Sequence, residues 1–118
     1  MTKQEEPKTI VCSEEKDLLT FQQVSDFVGG YVEVVRLSTG DTLLINEDGI
    51  SMNLPINFSA TAIYRNELDG KDITKLSKLE FQRVYKTNMF RILGNAVWVD
   101  KKFANRLFLD EVPDKSLH

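Results

Sequence analysis

The sequence predicts one small α+β domain: a mostly antiparallel sheet of three to five strands with two short helices. Three observations predict it. Apolar segments rich in β-branched residues recur at Tyr31–Leu37, Thr42–Asn46 and Ala96–Asp100, each bounded by turn residues. Two stretches of helical periodicity open on good N-caps, Thr20 and Asn57. The chain has 118 residues, 42% hydrophobic and 28% charged, which suffices for one core and is too little for two.

In chain order, Met1 to Pro7 is polar and reads as a loose tail, as does 113–118 at the other end. Ile10 and Val11 make Lys8–Cys12 a short edge strand. Thr20 with Gln23 spells a capping box, with Leu19 and Val24 placed as a hydrophobic staple. Phe21, Val24, Phe27 and Val28 then form a helical stripe, and Gly29 stops it, because glycine enters a left-handed C-terminal cap without a Cβ clash. The first helix is therefore Phe21 to Val28. Tyr31–Leu37 and Thr42–Asn46 are strands around a turn at Ser38–Asp41. Asp48-Gly49 is a hairpin cue, so Ile50–Leu54 reads as a third short strand. Asn57 caps a second helix, Phe58 to Arg65, with Phe58, Ala62 and Ile63 inward. Asn66–Lys75 is polar and looks like a loose excursion. Leu79–Tyr85 alternates as a strand does but follows a capping box, Ser77 with Glu80; strand is preferred. Gly94-Asn95 turns the chain into the strand Ala96–Asp100, where Trp98 is read as core. Arg106–Leu109 completes the strands.

The first hairpin implies a register. With Thr39 and Gly40 as a two-residue tip, Glu33 faces Asn46, and Tyr31 lies on the same face. Both sheet faces are then largely apolar, so both are covered. A carboxylate on such a face needs a solvated margin or a hydrogen-bonding partner. Glu33 therefore has three readings: a solvated margin, a polar ligand site with Tyr31 and Asn46, or a buried structural network. Glu47 and Asp48 extend the acidic character, although acids in turns are common for local hydrogen bonding. Gly29-Gly30 runs from helix to strand, the reverse of a phosphate loop.

Composition excludes several chemistries. Cys12 is the only cysteine and His118 the only histidine, so internal disulfides, multi-thiolate zinc sites and Ser-His-Asp or Cys-His pairs are all ruled out. The expectation is no enzyme, no metal and no cofactor. Net charge is −3, and the 15 basic residues are spread thinly, so nucleic acid is an unfavoured partner. No apolar run approaches a membrane span, and the polar N-terminus does not resemble a signal peptide, so a cytoplasmic location is expected.

Two segments carry a family resemblance. The first is Val28-Gly29-Gly30-Tyr31-Val32-Glu33-Val34-Val35, continued by Ile45-Asn46-Glu47-Asp48-Gly49, then Leu54-Pro55-Ile56-Asn57 and Ala60-Thr61-Ala62. The second is Leu93-Gly94-Asn95-Ala96-Val97-Trp98-Val99. Together they resemble domain of unknown function 3846, a family of small proteins of bacteriophages, large DNA viruses and bacteria. The resemblance spans Phe21 to Asp100, with a longer connection over Glu67–Ile92 than the family has. It implies a small viral accessory protein that binds a host protein in the host cytoplasm and modulates it without catalysis. The alternative is a sponge for a defence nucleotide, acting as a homo-oligomer. The candidate binding residues are Tyr31, Glu33, Asn46, Glu47 and Asn95.

Overall fold

Residues 6–73 and 91–111 are described by a computed structural model. Four strands, β1 (Thr9–Cys12), β2 (Val32–Arg36), β3 (Thr42–Asn46) and β4 (Ala96–Val99), form one sheet in the order β1-β4-β3-β2. β1 and β4 run parallel, and the other two pairs are antiparallel. Helix α1 (Phe21–Val28) packs on one face and α2 (Phe58–Tyr64) on the other. Short 3-10 turns lie at Glu15–Asp17, Gly70–Asp72 and Lys101–Phe103. The α+β class and the two helices among the described residues are as the sequence predicts.

The two faces make two cores. Ile10, Cys12, Val32, Leu44, Val97 and Val99 meet Val24 and Val28 of α1. Val11, Val35, Leu43, Ile45, Ala96 and Trp98 meet Ala60 and Ile63 of α2. Central strands β3 and β4 are consequently buried at every residue, which explains their unbroken apolar runs. Each fully buried Val or Leu contributes about 1.5–3 kcal/mol.

The first helix forms as its caps dictate. Thr20 Oγ1 accepts from the Gln23 N–H at 3.1 Å, and Gln23 Oε1 accepts from the Thr20 N–H at 2.8 Å. Gly29 sits at φ +85° and donates to the Ser25 carbonyl at 2.9 Å.

Four expectations are corrected. The hairpin tip is three residues, Ser38–Gly40, with Gly40 at φ +94°. Its N–H donates to the Leu37 carbonyl, and the Leu37 N–H donates to the Asp41 carbonyl. A left-handed residue after the turn adds one position to the loop. The register therefore shifts by one: Glu33 pairs with Ile45 and Val32 with Asn46. Ile50–Leu54 is no strand. The Met52 N–H donates to the Asp48 carbonyl, the Leu54 N–H to the Gly49 carbonyl, and Asn53 has φ +53°. The chain curls after Gly49, so no strand returns along β3. Arg106–Leu109 is also no strand; it is irregular chain that bends at Phe108 and turns at Leu109, and the Leu109 N–H donates to the Leu19 carbonyl at 2.7 Å. The excursion after Asn66 includes the Gly70–Asp72 turn, laid on the indole of Trp98. A Cβ at Gly70 would come within 2.2 Å of that ring, so only glycine allows the approach. The expected strand Leu79–Tyr85, residues 1–5 of the first tail and the whole of the second tail lie outside the described residues.

Candidate functional site

The five residues singled out by sequence divide into two groups. Asn46 and Asn95 are fasteners. Helix α1 ends with carbonyls that have no intrahelical partner. Asn46 Nδ2 donates to the Val28 carbonyl at 3.0 Å, and Asn95 Nδ2 donates to the Phe27 carbonyl at 2.9 Å. The other ends of the same amides are also engaged. Asn46 Oδ1 accepts from the Asp48 N–H at 2.7 Å, and Asn95 Oδ1 accepts from the Lys8 N–H at 2.8 Å. Asn46 is thus a buried structural network residue, and Asn95 is a part-buried tie between the same helix and the residue that leads into β1.

Tyr31, Glu33 and Glu47 form the second group. The Glu47 N–H donates to the Tyr31 carbonyl at 2.8 Å, continuing the β2–β3 register. Opposed residues share a sheet face, so these three side chains lie on the face that carries Ile45 and Val35, opposite the Asn46 face. The Glu33–Asn46 pairing expected from the shorter loop is removed by the one-residue shift. Tyr31 is 76% exposed, and Glu33 and Glu47 are exposed beside it. Neither carboxylate has an ion pair or side-chain hydrogen bond among the described residues. Glu33 thus stands at a solvated margin, away from Asn46.

The edge of β2 is the feature sequence reasoning missed. Hydrogen-bonded pairs alternate along an antiparallel ladder. The bonds at Tyr31/Glu47 and Leu37/Asp41 fix the odd-numbered residues of β2 as those bonded to β3. The N–H and C=O groups of Val32, Val34 and Arg36 therefore point outward, and among the described residues β2 ends the sheet. Val34 is 44% exposed. Just beyond the hairpin, the 48–53 turns present Ile50, 87% exposed, and Met52. Among the described residues, four of the seven exposed large apolar side chains thus fall between 31 and 52. No single motif signals the edge; its signal is the strand order, a tertiary property.

Other features are less suited to binding. A cavity of about 160 Å³ opens beside Trp98, lined by Leu37, Asp41, Glu67, Asp69 and Gly70 among others. Its carboxylates repel phosphate. The Trp98 ring is 1% exposed, so it is core, and its indole N–H has no partner among the described residues. Two further clefts, of about 390 and 550 Å³, meet at Leu54–Pro55. Asp100 is held below the usual carboxylate range, chiefly by the Lys102 backbone N–H and also by the Lys71 ammonium at 3.3 Å, against the opposing effect of burial. The basic character of the C-terminal half is partly absorbed by acids after β1: Lys102 pairs with Glu14 at 3.5 Å and Arg106 with Glu15 at 2.6 Å.

Burial, with a smaller contribution from Asp17, pushes the Cys12 thiol up to about 11. Its Sγ–H donates to the Asp17 carbonyl at 3.2 Å, so it is a protonated packing group rather than a nucleophile. Among the described residues no group of three or more His, Cys, Asp or Glu could hold a metal ion. Among them, no helix is long and apolar enough to cross a membrane.

No family model, no curated protein and no solved structure matches this chain.

Proposed function

We propose that this chain is a non-enzymatic accessory protein that binds another protein, and that its working surface is the free edge of β2 with Tyr31 and Val34. The observation that carries this is the outward row of backbone groups at Val32, Val34 and Arg36, flanked by exposed apolar side chains. Such an edge is a template for an added strand unless it is covered or blunted. An extended segment of a partner gains main-chain hydrogen bonds there, and specificity comes from alternate side chains. The resemblance to domain of unknown function 3846 supports a phage or viral origin and a host cytoplasmic protein as the partner.

Affinity capture from host lysate, with wild-type protein and Val34→Pro side by side, tests this. Proline removes the outward N–H of Val34 and leaves the β2–β3 bonds intact, because proline is tolerated where an edge N–H faces solvent. A stoichiometric protein retained by the wild type and lost from the variant supports the proposal. A clean wild-type bait, or capture indifferent to the proline, contradicts it.

A further inference from the structure

Resting on that reading, we infer that the segment taken by β2 is a basic, extended one from a different protein, with Lys or Arg at alternate positions. Two features choose it. Only Val32, Val34 and Arg36 offer outward backbone groups, so an antiparallel segment must seat one residue opposite Val34. Counting that residue as the first, the second stands opposite Glu33, the third opposite Val32 and the fourth opposite Tyr31. The second and fourth fall on the face where Glu33 and Glu47 have no cationic partner among the described residues.

A Lys or Arg opposite Glu33 makes a direct cross-strand ion pair, worth a factor of about two to five in affinity. An Arg opposite Tyr31 lies over an exposed ring and extends toward Glu47 beyond it. The cation–π contact contributes a similar factor of about two to five. On the other face, the residue opposite Val34 meets a half-exposed valine and is best apolar. The recognised pattern is therefore an apolar residue, a basic one, any residue, and a second basic one.

A second copy of this chain does not satisfy the edge. Its own strand offers Tyr31, Glu33, Val35 and Leu37 to that face, with no cation. Antiparallel self-pairing centred on Val34 brings the two copies of Glu33 into diagonal positions about 7–8 Å apart, where like charges repel.

Display of random decapeptides on the intact protein tests the inference, with selected peptides measured by fluorescence anisotropy. The expected result is enrichment of the alternating basic pattern. Val34→Pro should abolish binding of those peptides, and Glu33→Lys with Glu47→Lys should weaken it about tenfold or more. Enriched peptides that are lost with Val34→Pro but carry no basic bias, or are unaffected by charge reversal, overturn the basic-segment inference and leave edge docking standing. No enrichment, or peptides indifferent to Val34→Pro, overturns both. A wild-type dimer that Val34→Pro converts to monomer assigns the edge to self-association and overturns the inference of a foreign partner.

Discussion

Asn57 offers the sharpest separation between what local sequence explains and what tertiary structure adds. As an N-cap, its Oδ1 accepts from the Ala60 N–H at 2.9 Å. Aspartate caps a helix as well as asparagine does, so capping alone predicts that Asn57→Asp changes little. The side chain, however, is 1% exposed, and its Nδ2 donates to the Gly94 carbonyl at 3.0 Å and the Lys8 carbonyl at 3.3 Å. Aspartate turns that donor into an oxygen facing two carbonyls. Leaving a buried polar group unsatisfied costs about 1–3 kcal/mol, and the Lys8 bond is long and only part-buried. The expected loss is about 2–4 kcal/mol, a large share of the roughly 5–15 kcal/mol of a domain. With a urea slope of about 2 kcal/mol/M, the midpoint falls by roughly 1–2 M at an unchanged slope. Trp98, the only tryptophan and fully buried, reports unfolding by fluorescence. A midpoint within about 0.3 M of wild type would mean that the Nδ2 bonds contribute nothing and leave Asn57 a simple cap.

Gly70→Ala drives a Cβ into the Trp98 ring, so overpacking should cost about 1–3 kcal/mol and alter the native tryptophan emission; an unchanged spectrum and midpoint would contradict the close approach. Cys12 should resist thiol reagents in the native state at pH 8 and react fully once urea unfolds the chain. Its folded pKa is raised, so the unfolded chain loses the thiol proton first as pH rises. Stability should then fall between the ordinary thiol value and about 11, and Cys12→Ala should flatten that decline in alkaline urea titrations. Asp100 has a lowered pKa, so its contribution is present above the ordinary carboxylate value and is lost as pH falls through the folded value. Asp100→Ala should cost about 1 kcal/mol at neutral pH and less in acid.

Sequence was most informative where structure is local. The Thr20–Gln23 box and Gly29 define α1 to the residue, because a cap and a left-handed stop are set by immediate neighbours. β3 and β4 show as apolar runs because both sheet faces are covered. The hairpin register is ambiguous in the sequence because Ser38-Thr39-Gly40 fits a two-residue tip as well as a three-residue loop, and only the φ of Gly40 decides. Asp48-Gly49 suggests a hairpin, whereas one bond spanning four residues, one spanning five and the left-handed Asn53 curl the chain instead. Asn46, Asn57 and Asn95 join segments distant in sequence, and spacing carries no trace of such bonds. Tyr31, Glu33 and Glu47 stand out in the sequence, but their grouping depends on the true register, and the free edge beside them depends on strand order.

The most direct test of the β2 edge is residue-resolved amide hydrogen exchange, on the free protein and again with a peptide selected by it. Alternation is expected in the free protein: Val32, Val34 and Arg36 exchange fast while Glu33 and Val35 are protected by β3, and the peptide slows the first three. Uniform protection along β2 in the free protein, or no slowing at Val34 with the peptide bound, would contradict it.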